Sequence, residues 1–189
     1  MRLNTDRLIV RDFMNHDFPD YLAYIMDQEL RRALGLNGVT YEVSARETFD
    51  WLIKNRTFLA LEKKETGTVI GHICIHPPYA PPANDPVYRG KKGCSLSFAL
   101  ARAEQRKGYM EEALRGLIAF LFSQGKADYI DCEYTVGNAA SKALQEKLGF
   151  VLWGKESFDA EEVVISVLEK EKATGTAGTV CVKTNNKLK

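Results

Sequence analysis

The chain has little of what marks a secreted, membrane-spanning or nucleic-acid-binding protein. Its four cysteines are scattered without paired spacing, which indicates reduced thiols in a cytoplasm rather than a disulfide framework. A net charge of +1 lacks the basic excess typical of proteins that bind nucleic acids or membrane surfaces. No apolar run is long enough to span a bilayer, and the first residues, with Arg2, Asp6 and Arg7, lack the apolar core of a signal peptide. We therefore expect a cytoplasmic protein with neither a nucleic-acid nor a membrane partner.

The length and composition are those of one globular domain. A chain of 189 residues with 45% hydrophobic and 27% charged residues can bury a substantial core. We predict a single domain over residues 1–170. Beyond Glu171 the composition changes to Ala, Thr, Gly, Asn and Lys, which favours a mobile extension over residues 171–189, with a short edge strand at Val180–Val182 as the alternative. The sequence leaves monomer and homodimer both open.

The most informative segment runs from Glu104 to Ala113. It follows Ser95–Ala101, a short apolar run without Gly or Pro that predicts a strand. After it, apolar residues recur at helical spacing on one face. These residues are Met110, Ala113, Leu114, Leu117, Ile118 and Leu121.

A strand that turns through a basic, glycine-containing loop into a helix is a general anion site. The first N–H groups of a helix have no internal partner, and the helix dipole favours negative charge there. Gly108 allows close backbone approach, and Arg106 and Lys107 add positive charge. The segment predicts a phosphate-bearing ligand, with an ordinary strand-to-helix turn as the alternative. Glu111 and Glu112 suit the helix start, but their side chains should point away from a bound phosphate.

A second strand and helix lie about thirty residues downstream. Asp128–Thr135 alternates as a strand does, and Ala139–Leu148 follows as a helix. Asn138 is a good N-cap and Gly149 a good C-terminal stop.

Together these elements resemble the GNAT superfamily of N-acetyltransferases. Its loop signature, Arg/Gln-x-x-Gly-x-Gly/Ala, is matched by Gln105 and Gly108, with Met110 at the last position. Its second signature is Asn-x-x-Ser followed by Lys-x-Gly-Phe, which is found at Asn138, Ser141, Lys147, Gly149 and Phe150.

The N-terminal segment resembles one branch of that superfamily. Thr5–Arg11 is similar to the opening Thr-x-Arg-Leu-x-x-Arg strand of the branch that contains the ribosomal-protein alanine N-acetyltransferases. The resemblance covers roughly residues 3–169 and implies an α/β (α+β) GNAT fold, with a central mixed, mostly antiparallel, splayed sheet flanked by helices.

The patterning along the chain gives the other elements of this fold. The predicted elements are a strand at 3–11, a helix at 17–34 with Asp17 as cap, a helix at 44–54 with Ser44 and Glu47 as a capping box, a hairpin of strands 57–62 and 69–76, and a last hairpin of strands 151–157 and 163–168.

The resemblance implies acetyl-CoA as co-substrate. In the family the loop N–H groups, here from Arg106 to Met110, bind the pyrophosphate, and the pantetheine arm pairs with exposed backbone of the strand near Phe98–Ala101. The residues expected to bind CoA are Phe98, Ala99, Leu100, Gln105, Arg106, Lys107, Gly108, Tyr109, Met110, Asn138 and Ser141.

The resemblance also implies direct attack of an amine on the thioester. Many family members place a Tyr in the helix after the second signature as acid for the thiolate, whereas this chain has Gln145 there. Ser141 is the expected catalytic residue, donating a hydrogen bond to the sulfur or positioning a water; the alternative is a capping interaction with Asn138. The acidic base frequent on the strand before the loop is absent, and Glu133 or His72, acting through water, are the candidates to replace it.

Two further features have alternative explanations. His72, Cys74 and His76 alternate on one face of a strand, but no further liganding cluster accompanies them, so we expect a buried or substrate-facing row and no metal. The proline-rich segment Pro77–Pro86 is longer than a hairpin needs. It could shape the acceptor entrance, pack on a partner subunit or be an insertion without a role.

The resemblance therefore predicts an N-acetyltransferase that modifies a primary amine, preferably the α-amine of a protein or peptide. Two alternatives stay open. One is a small-molecule amine as acceptor, and the other is a GNAT-fold module that binds acyl-CoA without turnover.

Overall fold

The computed structural model describes residues 1–158 and 161–173. Its strands are β1 (Arg2–Asn4), β2 (Leu8–Asp12), β3 (Phe58–Lys63), β4 (Val69–His76), β5 (Gly93–Leu100), β6 (Tyr129–Thr135), β7 (Val151–Phe158) and β8 (Glu161–Glu169). Its α-helices are α1 (Phe18–Ile25), α2 (Gln28–Ala33), α3 (Glu42–Asn55), α4 (Ala80–Asn84), α5 (Tyr109–Ser123), α6 (Ala139–Leu148) and α7 (Lys170–Ala173). Short 3₁₀ turns lie at Asn15–Asp17, Pro86–Tyr88 and Arg102–Glu104.

These residues form two compact units. The first comprises residues 1–74 and 98–116, and the second comprises residues 75–97, 117–158 and 161–173. The predicted boundary at residue 170 between one domain and an extension stays a prediction, because residues 174–189, with Val180–Val182, lie outside the described part of the chain.

In the first unit, strands β1 to β4 pair in chain order and are antiparallel. Leu3 pairs with Val10, and Val10 with Leu61, so apolar residues in register cover one face. Helices α1 and α3 supply aromatic rings to the core of this unit, and Tyr21 and Phe49 lie with ring centroids 5.1 Å apart. This packing gives the N-terminal strands a rigid support.

A buried ion pair ties β2 to the start of α1. The guanidinium of Arg11 donates two parallel hydrogen bonds to the Asp17 carboxylate, at 2.7 and 2.8 Å, and a third to Glu62. Arg11 and Asp17 are 4% and 2% exposed. These carboxylates raise the pKa of Arg11, so the charge persists inside the unit.

In the second unit, β5 and β6 are parallel, whereas the pairs β6–β8 and β7–β8 are antiparallel. The parallel ladder begins at Gly93↔Tyr129, where the Tyr129 ring fills the space that a Cβ on residue 93 would need. It ends at Ser95↔Asp131, although β6 continues to Thr135. Of the strand pairs within the two units only β5–β6 is parallel, which confirms the mixed, mostly antiparallel α/β prediction.

Several predicted elements are confirmed with small shifts of their ends. The hairpin β3–β4, the strand β5, the helices α5 and α6, and the strands β7 and β8 all lie where the pattern places them. Asn138 caps α6, and Gly149 ends it in the left-handed conformation with φ 92°. The turn residues 159–160 of the last hairpin lie outside the described residues.

The predicted strand 3–11 is wrong as one element. It is a hairpin of β1 and β2, because the Thr5 N–H donates to the Leu8 carbonyl at 3.0 Å and turns the chain. This turn presents Thr5 and Arg7 to residues far along the chain.

The predicted helix 17–34 is also wrong as one element. Asp27 ends the first helix and caps the second, since its Oδ1 accepts from the Leu30 N–H at 2.9 Å. Asp17 occupies the N-cap position of α1, but its carboxylate bonds to Arg11 and to the Met14 N–H instead of capping the helix.

The second predicted helix begins earlier than its pattern indicates. In α3, Ser44 lies in the first turn rather than at the cap, and its Oγ accepts from the Tyr41 N–H at 3.2 Å. The predicted capping box of Ser44 and Glu47 is therefore wrong by three residues.

Within residues 1–158 and 161–173, no helix has the length and apolar character that a bilayer crossing requires.

Candidate active site

The predicted anion-binding loop lies in the first unit between β5 and α5. Two of its residues adopt the left-handed conformation, Arg106 with φ 62° and Gly108 with φ 80°. The Gly108 carbonyl accepts from the Glu112 N–H at 3.1 Å and so opens the helix. The N–H groups of Tyr109, Met110 and Glu111 therefore fall in the first turn, where a helix supplies no backbone partner. The loop has the backbone form that an anion requires.

The side chains of the loop separate into structural and exposed ones. The Gln105 amide donates to the Leu100 carbonyl at 3.1 Å and closes the loop onto the end of β5. Met110 is 7% exposed, so its side chain belongs to the core and only its backbone faces the loop. Arg106 is exposed, whereas the Lys107 ammonium lies 3.1 Å from a Glu104 oxygen.

Both carboxylates at the start of α5 have hydrogen-bond partners outside the loop. Glu111 accepts from Arg115 one turn later, at 3.1 Å. Glu112 accepts from Thr5 and Arg7 of the N-terminal turn. Both carboxylates are therefore paired, and their orientation relative to a bound phosphate stays a prediction.

The end of β5 offers fewer backbone groups than the sequence predicts. The Ala101 N–H donates to the Ile70 carbonyl at 2.8 Å, so it is already used. Backbone groups of successive strand residues point to opposite edges, and those of Phe98 and Leu100 therefore point away from β4. Since the Leu100 carbonyl accepts from Gln105, Phe98 is the residue whose backbone is best placed to pair with a ligand.

The second signature forms the corner between β6 and α6 in the second unit. The Asn138 side chain accepts from the backbone N–H of Ser141 at 3.0 Å. The capping bond therefore uses the Ser141 backbone and leaves its partly exposed hydroxyl for another role.

Gln145 determines what that hydroxyl can do. Its Nε2 donates to Ser141 Oγ at 3.1 Å and lies 3.4 Å from the Glu133 carbonyl, while its Oε1 accepts from Ser166. The opposite amide orientation would place two carbonyl oxygens together, so the Glu133 carbonyl favours this one. Because Ser141 Oγ accepts from Gln145, its own proton is directed elsewhere.

The two bases named from the sequence have different environments. His72 is 4% exposed, its Nδ1 lies 2.9 Å from the Tyr24 hydroxyl, and burial lowers its pKa to about 4. Such a histidine is a neutral core residue. Glu133 lies on the exposed end of β6, and partial burial of its carboxylate raises its pKa.

The three residues of the alternating row, His72, Cys74 and His76, lie in different environments. His72 and Cys74 are buried in the first unit, whereas His76 is exposed in the second, with Nε2 2.8 Å from Ser97 Oγ. Burial of part of the His76 ring lowers its pKa. In the part of the chain that the structure describes, no three His, Cys, Asp or Glu side chains are grouped so as to hold a metal ion.

The proline-rich segment is anchored on the second unit. Its Tyr79 N–H donates to the Asp131 carboxylate at 3.2 Å, and its Asp85 accepts from the Trp153 indole at 3.0 Å. Asp85 also accepts from the Val87 N–H, which begins a 3₁₀ turn. These bonds give the segment a defined conformation against β6 and β7.

Sequence reasoning missed Asp131. It is 1% exposed, and burial raises its pKa to about 6, against hydrogen bonds from Ser95 and the Tyr79 N–H that lower it. A carboxylate at an inward position of an apolar strand was the signal that could have identified it.

The raised pKa of Asp131 predicts a pH-dependent stability. Because its folded pKa of about 6 lies above the ordinary 3.8, the carboxyl stabilises the fold when protonated. This contribution is lost as the pH rises through about 6. Asp131→Asn keeps an acceptor for the Tyr79 N–H without the charge. The melting temperature of the variant minus that of the wild type should therefore increase as the pH rises from 4 to 7. Thermal unfolding across that range measures the difference, and a gain that shrinks with rising pH would contradict the prediction.

The family and the relative that this chain matches are described as acetyltransferases. The family described as acetyltransferase (GNAT) domain matches residues 7–151. The chain is 24% identical over 153 residues to an uncharacterized N-acetyltransferase, YoaA, from Bacillus subtilis (strain 168), covering 78% of this chain and 81% of the relative.

Solved structures show the predicted fold. A GNAT-family acetyltransferase from Bacillus anthracis matches with a TM-score of 0.78 and 19% identity, over 90% of this chain and 99% of that one. The ribosomal L7/L12 alpha-N-protein acetyltransferase RimL, in complex with coenzyme A, matches with a TM-score of 0.71 and 15% identity, over 89% and 98% of the chains.

Proposed function

Because the chain belongs to the GNAT family of acetyltransferases, we propose that it transfers the acetyl group of acetyl-CoA to a primary amine, with the α-amine of a protein or peptide preferred. The observation that carries the proposal is the loop before α5, whose two left-handed residues precede a helix N-terminus. The N–H groups from Arg106 to Met110 bind the pyrophosphate, and the exposed guanidinium of Arg106 adds positive charge.

The reaction needs three contributions from the chain: stabilisation of the oxyanion, stabilisation of the leaving thiolate and acceptance of a proton from the ammonium. The amine nitrogen forms a bond to the thioester carbon, and the carbon–sulfur bond breaks. The ammonium loses two protons on becoming an amide, one before the attack and one after it, and both leave through water, while the CoA thiolate takes one proton from solvent. The Phe98 backbone N–H stabilises the oxygen that becomes negative, since the geometry of β5 turns it away from β4.

Ser141 serves the leaving thiolate. Its Oγ accepts from Gln145, so the hydroxyl proton is available as a donor to sulfur. A serine hydroxyl is too weak an acid to protonate the thiolate fully, and a hydrogen bond is the chemistry that it can supply.

Glu133 accepts the ammonium proton through water. The burial of His72 and its contact with Tyr24 favour Glu133 of the two bases considered from the sequence. A carboxylate with a raised pKa is a better match for this role than an ordinary one.

The preference for an α-amine is supported by the N-terminal motif and by one structural relative. Thr5 to Arg11 is similar to the opening of the ribosomal-protein branch, and RimL is described as an alpha-N-protein acetyltransferase. A competition between short peptides with free N-termini and a panel of polyamines, aminoglycosides and amino acids tests the preference. Acetylation of the small amines alone would assign the chain to small-molecule acceptors instead.

The alternative is a module that binds acyl-CoA without turnover, for which Gln145 in the place of the family's tyrosine is the motive. Release of free CoA thiol from acetyl-CoA in the presence of the same acceptors separates the two functions. Binding of CoA without thiol release for any acceptor would favour the module.

Ser141→Ala should lower kcat about tenfold and change the KM for acetyl-CoA less. A charge-assisted hydrogen bond to the leaving sulfur matters chiefly in the transition state, and its loss therefore falls on kcat. Initial rates against acetyl-CoA concentration measure the split.

Ser44→Ala is the matched control for that variant. It removes a serine hydroxyl from the first turn of α3, so it should lower the melting temperature and leave kcat unchanged. If Ser141→Ala behaved in the same way, its hydroxyl would be structural only.

A further inference from the structure

The N-terminal turn between β1 and β2, residues 5–8, is hydrogen-bonded to Glu112 in the first turn of α5. Glu112 accepts three hydrogen bonds there, from Thr5 Oγ1 at 2.5 Å, from the Arg7 backbone N–H at 2.7 Å and from Arg7 Nε at 2.6 Å. Burial alone would raise the pKa of Glu112, but these bonds outweigh it and lower that pKa. The carboxylate is therefore charged and fully committed to the N-terminal turn.

Arg7 also reaches the loop itself. Its Nη1 donates to the Lys107 carbonyl at 2.9 Å, and its guanidinium carbon lies 4.4 Å from the centre of the Tyr109 ring. Lys107 stands between Arg106 and Gly108, the two residues with positive φ. One side chain thus contacts the loop within its unusual backbone, at Lys107, and directly after it, at Tyr109.

We propose that Arg7 is a positioning residue for the pyrophosphate of acetyl-CoA: it fixes the conformation of the Arg106–Met110 loop and neutralises the Glu112 carboxylate. The inference rests on the proposed function of that loop and adds an N-terminal residue to it.

Two physical arguments support the role of Arg7. A non-glycine residue with positive φ, such as Arg106, persists only where its surroundings hold it, and the bond from Arg7 to the Lys107 carbonyl is adjacent to it. An unpaired carboxylate in the first turn of α5 would repel a phosphate bound at the same turn, and Arg7 supplies the opposite charge.

Calorimetric titration with CoA and steady-state kinetics with acetyl-CoA test the proposal. Arg7→Met should weaken CoA binding about tenfold, Arg7→Lys should weaken it about two- to fivefold because it keeps the charge, and both should raise the KM for acetyl-CoA with kcat nearly unchanged. Lysine keeps the charge and the backbone N–H, but its single ammonium cannot replace both the Nε bond to Glu112 and the Nη1 bond to the Lys107 carbonyl. Arg2→Met, which removes a charge from the exposed start of β1, is the control and should bind CoA as the wild type does.

A double variant separates positioning from bulk charge. In Arg7→Met with Glu112→Gln, removal of the carboxylate should restore CoA affinity two- to fivefold over Arg7→Met alone. Wild-type affinity in Arg7→Lys, an unchanged Arg7→Met, or no recovery in the double variant would overturn the proposal. Unfolding of both single variants at the assay temperature would also overturn it, in favour of a purely structural role.

The titrations distinguish failure of the proposed function from failure of this inference alone. Absence of CoA binding by the wild type would remove the function and the inference together, at the first titration. Binding by the wild type with no loss in the variants would remove the inference alone.

Discussion

Gly108→Val is expected to reduce CoA affinity about 30-fold, or about 2 kcal/mol, because it strains the loop at its most demanding position. Gly108 has φ 80°, which a β-branched residue adopts only at high cost. A Cβ at this position would also lie 3.3 Å from Arg7 Nη2, so the side chain that holds the loop would have to move. Calorimetry with CoA measures the loss.

Gly90→Val provides a control with the same backbone demand. Gly90 also has φ 80°, but it lies outside the loop and a Cβ there would meet nothing within 4 Å. Its variant should lose stability and keep CoA affinity. Equal losses of affinity in both variants would show that the substitutions weaken CoA binding by destabilising the fold in general and that the loop does not bind CoA directly.

Asp17→Asn is expected to lower the free energy of unfolding by about 3 kcal/mol, because it leaves the buried Arg11 charge partly uncompensated. Arg11 is 4% exposed and loses its bidentate partner, while Glu62 keeps one bond to it. The Met14 N–H loses a charged acceptor as well. Urea-induced unfolding at neutral pH measures the change.

Asp50→Asn is the matched control in the same unit. Asp50 pairs with Arg46 at 2.8 Å on the surface of α3, where both side chains are largely exposed. Such pairs contribute less than about 0.5 kcal/mol. If Asp17→Asn cost no more than Asp50→Asn, the buried pair would be energetically equivalent to a surface one.

Local patterns predicted the elements that carry the loop, because their signals lie within a few residues. The apolar repeat from Met110 to Leu121 is that of α5, and Asn138 and Gly149 delimit α6 as capping residues do. In contrast, the pattern from Tyr21 to Leu34 continued across Asp27 and concealed the break between α1 and α2. Asp27 followed by Glu29 indicates the start of a helix, but the continuous apolar periodicity led to the prediction of a single helix instead.

The hydrogen-bond partners of the site residues were not predicted, because most of them lie far apart in the sequence. Thr5 and Arg7 were matched as part of a strand motif, yet their partner Glu112 lies more than 100 residues away. The amide of Gln145 likewise joins Ser141 of its own helix to Glu133 on β6 and Ser166 on β8. No local pattern states which polar groups meet after folding, and the site therefore depended on the structure for its partners.

The buried thiols have a consequence for how the enzyme can be assayed. Burial raises the pKa of Cys74 to about 11 and that of Cys94 to about 12, and places that of Cys132 well above its usual value. Thiolates are the species that react with disulfide reagents, so these three sulfurs stay silent in the native chain at neutral pH. A chromogenic disulfide then reports the sulfur released from acetyl-CoA rather than these three cysteines, and colour that grows from any of the three signals that the fold has opened. Cys181 lies outside the described residues, so its contribution is removed by a Cys181→Ser background.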